Sequence, residues 1–500
     1  MKTYDAVVIG AGNGGISAAL ALARAGKKPL VIERHNLAGG CAGSFVRGRF
    51  EFNISLHTLD YRGMFQPVFE GEMGLTERFF DVKPEFCNVY LENGKPVIEH
   101  YRCTADLADQ IEARHPGCGK PFTKFMKVMK EVMDAFSELV LRPDPKPLKI
   151  FLRHPAFLKY GTKTLDQVFD MLKTPDYLRS LLSIYWWYGG AKPAEFPFNV
   201  YSMVAYSAFT GAVGFPEHTA HGYLAQIEAE IRKAGGELLF NTCVTKIHTR
   251  DGSVCSVETD QGDLIETDMV FSDVNPVSVL GGMLTGCDGV CEKYLPKYLP
   301  IKENFSFLTI CLGLDCTAAE LGLQEHHCII HEDTDINRVC SFSGSWEGPK
   351  TIGVNCPNIT VPDFSPEGTC IVTISIPVQG SILEGLSQKE YVKKKRALEW
   401  EYVTKVENYL QIDLRSHIEE IDSFTPATLS RYAGLYNGAL GNAVDSKTLM
   451  ANRAITEELN KGAVKGLTFI GQYAGNLGYQ NSVQGYMTTK GVLSSQKGGR

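Results

Sequence analysis

Five hundred residues exceed what one ordinary core holds, so the chain is expected to fold as two lobes. A hydrophobic share of 44%, a charged share of 21% and a mean hydropathy of −0.10 describe a folded, water-compatible chain. The formal charge of −7 excludes the basic excess of a nucleic-acid binder. No run approaches the ~18–20 apolar residues of a membrane span. Only Met1, Lys2 and Thr3 precede the first predicted strand, which leaves no room for a signal peptide. Fourteen cysteines without a Cys-x-x-Cys pair then read as buried thiols in a reducing, cytoplasmic compartment.

In chain order, residues 4–9 (Tyr-Asp-Ala-Val-Val-Ile) form an apolar, β-branched run suited to a buried parallel strand. It enters Gly10-Ala11-Gly12-Asn13-Gly14-Gly15, a complete G-x-G-x-x-G. Gly10 serves the tight turn, Gly12 the approach of a pyrophosphate, and Gly15 the packing of helix on strand. An Ala- and Leu-rich helix is expected over 14–25, with Gly26 closing it and its first N–H groups aimed at the phosphates. A second strand, Leu30-Val31-Ile32, delivers Glu33 where a carboxylate accepts hydrogen bonds from ribose hydroxyls. The order of strand, glycines, helix, strand and acid makes this a dinucleotide site; it does not separate NAD from FAD.

The next residues do. After Glu33-Arg34 come Gly39-Gly40-Cys41-Ala42-Gly43-Ser44-Phe45 and then Phe50-Glu51-Phe52-Asn53. Here the sequence resembles the phytoene-desaturase-like branch of the flavin amine-oxidase superfamily, which includes carotenoid isomerases and retinol saturases. The resemblance continues through Phe215-Pro216, Gly235-Gly236-Glu237-Leu238, Val244-Thr245-Lys246-Ile247, residues 263–275, residues 308–315, Phe424-Thr425-Pro426 and Leu467-Thr468-Phe469-Ile470-Gly471. It implies an α/β fold: a Rossmann-like FAD-binding domain of the glutathione-reductase type with an interleaved α+β substrate domain. The expected FAD domain takes residues 1–75, 215–290 and 460–500, and the substrate domain takes 76–214 and 291–459. FAD is the expected cofactor, held by Gly10, Gly12, Asn13, Gly14, Gly15, Glu33, Arg34, Gly39, Gly40, Cys41, Ser44, Val244, Gly471, Gln472, Ser482 and Val483. Residues 263–275 are expected as one strand returning to the nucleotide sheet, and a last helix from about Ser482 points its N–H groups at the flavin.

Two departures from the family bear on the substrate. The usual Pro-x-Gly-Gly is Pro216-Glu217-His218-Thr219-Ala220-His221-Gly222, and Gln472 stands where an acid often follows the C-terminal glycine. His57, beyond Phe50-Glu51-Phe52, is the expected proton donor, with Tyr473 and Tyr479 flanking the flavin ring. His218 and His221 are candidate substrate contacts. Trp186 and Trp187, in Tyr185-Trp186-Trp187-Tyr188, would line a substrate tunnel or fill a second core. His326, His327, Cys328 and His331 form the densest cluster of metal-ligand types, but 327–331 reads as an edge strand, and no metal is expected.

Residues 148–163 mix Leu148, Ile150, Leu152 and Leu158 with Lys149, Arg153 and Lys159. This suits either a peripheral membrane contact on the inner face or a buried cap with a solvated basic edge, broken by Pro155. The expected activity is desaturation, saturation or isomerisation at carbon–carbon double bonds of a long hydrophobic substrate such as a carotenoid, retinoid or unsaturated lipid. An electron donor or acceptor is implied as partner. The alternatives are an amine or amino-acid oxidase and a non-enzymatic FAD-bound lipid carrier.

Overall fold

Alternation along the first strand explains how the nucleotide lobe is layered. In Ala6–Ile9, Ala6 and Val8 point to a core of helices, while Val7 and Ile9 point to a second core on the other face. A strand buried on both faces needs this continuous apolar run. A computed structural model describes residues 4–55, 58–60, 62–83, 85–141, 147–298, 305–435, 438–440, 446–471 and 479–498.

Five parallel strands form the nucleotide sheet, in the order Glu237–Leu239, Pro29–Ile32, Ala6–Ile9, Val270–Ser272, Leu467–Phe469. One face is covered by helices Asn13–Arg24, Ala220–Lys233 and Gln480–Gly498, whose core includes Ile16, Leu20, Leu224, Ile227 and Tyr486. The other face packs on a four-stranded sheet through Val244, Ile247, Val254 and Val257. Residues 263–275 are not one strand. Leu264–Glu266 joins the four-stranded sheet antiparallel to Ser253–Thr259, and only Val270–Ser272 returns to the nucleotide sheet. Asp268, between them, belongs to neither strand.

The other lobe is built on a seven-stranded sheet ordered Ile418–Phe424, Phe305–Leu314, Cys370–Gln379, Thr351–Asn355, His327–His331, Glu85–Glu92, Lys95–Arg102. Helix Gln388–Leu410 covers one face with Leu398, Tyr402, Val403 and Val406. Helices between residues 107 and 209 cover the other, against Phe86, Tyr101 and Ile329. The expectation of an edge strand at His327–His331 is therefore corrected: it is paired on both sides, antiparallel to Thr351–Asn355 and parallel to Glu85–Glu92. Its histidines are absorbed by hydrogen bonds, His331 to Thr351 at 2.9 Å and His327 to Asn355, and His326 just before it bonds Thr360 at 2.8 Å. Burial pushes the His331 imidazole down to about 3, so it stays neutral in the core.

Two small elements join the lobes. The hairpin of Ser44–Arg47 and Phe50–Asn53 drives Phe50 and Phe52 into a core with Cys311, Ile371 and Phe424. A three-stranded sheet pairs Val213–Pro216 with Leu59–Asp60 and Phe79–Asp81. All fourteen cysteines are free. Among the described residues, no helix is long and apolar enough to cross a membrane.

Candidate functional site

The glycine loop between Ala6–Ile9 and helix Asn13–Arg24 is a cradle made of backbone. Gly10 takes φ +91° and donates its N–H to Ile32 O at 2.9 Å, turning the chain at the strand end. Gly12 caps the helix in an extended conformation. A side chain on Gly12 would collide with the Asp273 carboxylate, and one on Gly15 with the Gly10 carbonyl oxygen; a Cβ on Gly14 would lie 2.7 Å from Gly471 Cα. The second glycine pair lies against the first. Gly39 N–H donates to Ala11 O at 2.8 Å, and Gly39 and Gly40 take φ +129° and +56°. Cys41 follows in a turn whose carbonyl accepts the Ser55 hydroxyl at 2.6 Å, and burial pushes its thiol up to about 12.

Glu33 emerges at the end of Pro29–Ile32, buried, with Oε2 accepting the Ala11 N–H at 2.7 Å and Oε1 the His35 N–H at 2.8 Å. Its carboxylate thus fixes the glycine loop from the side where a ribose would lie. The adjoining cradle has no Cβ at four positions and opens at a helix N-terminus, which is the donor set a dinucleotide pyrophosphate needs. The residues fit a flavin dinucleotide. Arg34 does not join them: its guanidinium donates to the carbonyls of Arg431 and Tyr432, at the C-terminal end of helix Pro426–Ala433. Val244 opens its strand, buried among Ile9 and Ile32.

On the far side, Gly471 follows Leu467–Phe469 at φ +80°, its N–H bonded to Gln484 Oε1 at 3.0 Å. The last helix begins at Gln480, and Ser482 accepts the Tyr223 hydroxyl, with Val483 packed on the same core. This helix lies so close to the first that a Cβ on Gly485 would strike the Gly14 carbonyl. Gln472, Tyr473 and His57 lie outside the described residues.

Several other expectations need correction. Tyr479 is 2% exposed, its ring in edge contact with Phe69, Phe79 and Tyr223. It fills the nucleotide-lobe core instead of presenting its face to a flavin ring. Trp186 and Trp187 pack with Ile336, Val339 and Cys340, and Trp186 Nε1 donates to Thr351 Oγ1 at 3.0 Å, so both are core residues. Replacing Trp186 with Ala should cost about 3–5 kcal/mol, read as a lower urea midpoint; an unchanged midpoint would return this residue to a tunnel wall. His218 is largely exposed and pairs with buried Glu77 at 3.2 Å, and His221 sits on the first turn of helix Ala220–Lys233. Neither faces the cleft described next.

That cleft, open to solvent, lies where the three-stranded sheet meets the seven-stranded one. Phe86, Tyr185, Tyr188, Val213, His327 and Thr58 contribute to its wall. Burial pushes the His327 imidazole down to about 4 against the opposing bond from Asn355, so it is neutral at pH 7. Lys83 and Glu85 are the charged residues of the lining.

Residues that sequence reasoning passed over hold the site together. Glu51 accepts from Ser44 and from Thr219, the latter at 2.7 Å, and Asn53 Oδ1 accepts the Ala220 N–H at 2.9 Å. The hairpin is thereby latched to the N-terminus of helix Ala220–Lys233. Asp273, one residue past Val270–Ser272, reaches the glycine loop. The rule that ligands gather at the carboxyl ends of parallel strands would have flagged it.

The comparisons with known proteins agree with this geometry. A family model described as flavin containing amine oxidoreductase matches residues 14–272. All-trans-retinol 13,14-reductase of Danio rerio is 24% identical, over 98% of this chain and 86% of that one. Prolycopene isomerase 2 of an Oncidium hybrid cultivar is 24% identical, over 88% of this chain and 75% of its own length. Among solved structures, an oxidoreductase from Methanosarcina mazei superposes with a TM-score of 0.63 at 16% identity, covering 97% of this chain and 99% of that one.

Proposed function

Because the chain belongs to the flavin containing amine oxidoreductase family, we propose that it holds FAD in the glycine cradle and acts on carbon–carbon double bonds of a long apolar polyene. The cleft carries this reading. Most of its wall is aromatic, aliphatic or neutral imidazole, which suits a hydrocarbon, and its one carboxylate, Glu85, is already paired with Arg102 at 3.3 Å. The 13,14-reductase and prolycopene isomerase, matched across both lobes, bear names for chemistry on such polyenes, and a carotenoid or retinoid is the substrate class proposed here.

Bound flavin supplies the hydride chemistry. The chain's own residues hold the dinucleotide through the backbone of Gly12, Gly14, Gly39 and Gly40, with Glu33 beside the ribose. The cleft orients the polyene, and His57 gives or takes a proton at the reacting carbon. A soluble electron donor or acceptor completes the cycle where the reaction is not redox-neutral. Incubating the purified holoprotein with all-trans-retinol, prolycopene and putrescine, each with a reductant or an oxidant, tests the reading. A changed polyene spectrum without amine turnover is expected; turnover of the amine alone would overturn it.

Substrate of this kind resides in lipid, and residues 148–163 are the proposed contact with a membrane's inner face. The segment is two short helices, Pro147–Arg153 and Pro155–Tyr160, anchored by Ile150 and by stacking of Phe151 on Phe157. Leu148, Leu152 and Leu158 project outward at 73%, 74% and 58% exposure, flanked by exposed Lys149 and Lys159. Arg153 is tied to Glu138 at 2.8 Å and is left in place in the test. Lys149→Glu with Lys159→Glu should weaken binding to anionic vesicles at least about tenfold, since each interfacial cation contributes roughly 1 kcal/mol. Equal partitioning of parent and variant in a flotation assay would remove the membrane from the proposal.

A further inference from the structure

Asp273 is drawn inward from the end of Val270–Ser272. Its N–H donates to Ile9 O at 2.9 Å, which pins its Cα against the central strand. Its Oδ2 accepts the Gly15 N–H at 3.0 Å, so the carboxyl caps the first turn of helix Asn13–Arg24 from 258 positions away. The space around the carboxyl is bounded by glycines: side chains on Gly12 or Gly471 would run into its oxygens, and a Cβ on Gly14 would lie 3.1 Å from Oδ1.

A carboxylate suits a helix N-terminus, but so does a phosphate, and here both claim the same turn. Among the described residues, the titratable groups facing Asp273 are Glu33 and Cys41. Glu33 adds negative charge, and Cys41 stays a thiol. Burial first, and Glu33 after it, push the Asp273 carboxyl up to about 7 in spite of the Gly15 N–H, which favours the ionised form.

We propose that Asp273 couples flavin binding to protonation: ionised, it caps the helix of the apoprotein, and it takes up one proton from solvent when the flavin's pyrophosphate arrives at the same turn. The inference rests on the flavin assignment above. The sign follows from proton counting. Below pH 7 both states hold the proton and affinity is flat; above it the complex holds a proton that the apoprotein lacks, so affinity falls as pH rises.

The test is titration of the apoprotein with FAD by flavin fluorescence between about pH 6 and pH 9, with calorimetry in buffers of different ionisation enthalpy. The dissociation constant should rise by up to roughly tenfold per pH unit above pH 7, with uptake approaching one proton. Asp273→Asn, which keeps the shape and removes the charge, should flatten the profile and abolish the uptake. A pH-independent wild-type affinity without proton uptake overturns the inference while leaving the flavin site intact. Absence of FAD binding at every pH overturns both. Should the Asn variant fail to fold, the wild-type calorimetry still decides.

Discussion

Gly12→Val should purify colourless, with no flavin absorbance in the visible. The residue caps helix Asn13–Arg24 in extended conformation, and any Cβ there is aimed at the Asp273 carboxylate. A branched side chain has two ways to relieve the clash. It can push Asp273 off the Gly15 N–H, or it can lift the loop from the helix start; either one fills the space a pyrophosphate would occupy. Gly289→Val is the control for fold, because a Cβ at Gly289, on helix Asp288–Tyr298, meets nothing within 4 Å. It should retain the parent's flavin content and thermal midpoint. A yellow Gly12→Val protein with parental stoichiometry would sink the nucleotide-site assignment.

His57→Ala should keep its flavin and lose about 10²–10⁴-fold in turnover, the usual contribution of a positioned general acid. His57 lies between residues whose places are known. Ser55 is tied to the Cys41 carbonyl beside the second glycine pair, and Thr58 lines the cleft. The place of His57 in the sequence between these two makes it the candidate for delivering a proton on the substrate side. Rapid mixing separates the steps: flavin reduction by an external donor should be unchanged, and the slow phase should be transfer to the polyene. Turnover within about twofold of the parent would make His57 structural and move the proton donor elsewhere, with Tyr473 the next residue to test.

What the sequence disclosed and what it concealed divide along physical lines. The glycine loop was legible because each glycine answers a local steric demand: Gly10 a positive φ, Gly15 the closeness of its neighbour's carbonyl. The alternating faces of Ala6–Ile9 and the position of Glu33 were legible for the same reason. Asp273 was not, since its role exists only once residues 258 positions apart are brought together. Trp186 and Trp187 stayed open between core and tunnel, and Tyr479 misled, because aromatic side chains suit a core and a binding surface equally and only packing separates the two. The histidines at 326–331 misled differently. Composition marked them as ligands or an edge, whereas pairing on both sides of the strand made His327 and His331 neutral interior groups.

The order of strands in the nucleotide sheet bears on how the protein is made. Ala6–Ile9 leaves the ribosome long before its partner Val270–Ser272, which is bordered by Leu467–Phe469, and the helix at Gln480–Gly498 lies in contact with the glycines of the first turn. During translation the early glycine helix stands without these neighbours, its apolar face uncovered, until they too have emerged. Contacts so distant in sequence form slowly and leave intermediates prone to association. Cofactor loading is therefore expected to follow assembly of the whole sheet, and the yield of yellow protein should track flavin supply and chaperone capacity more than the rate of expression.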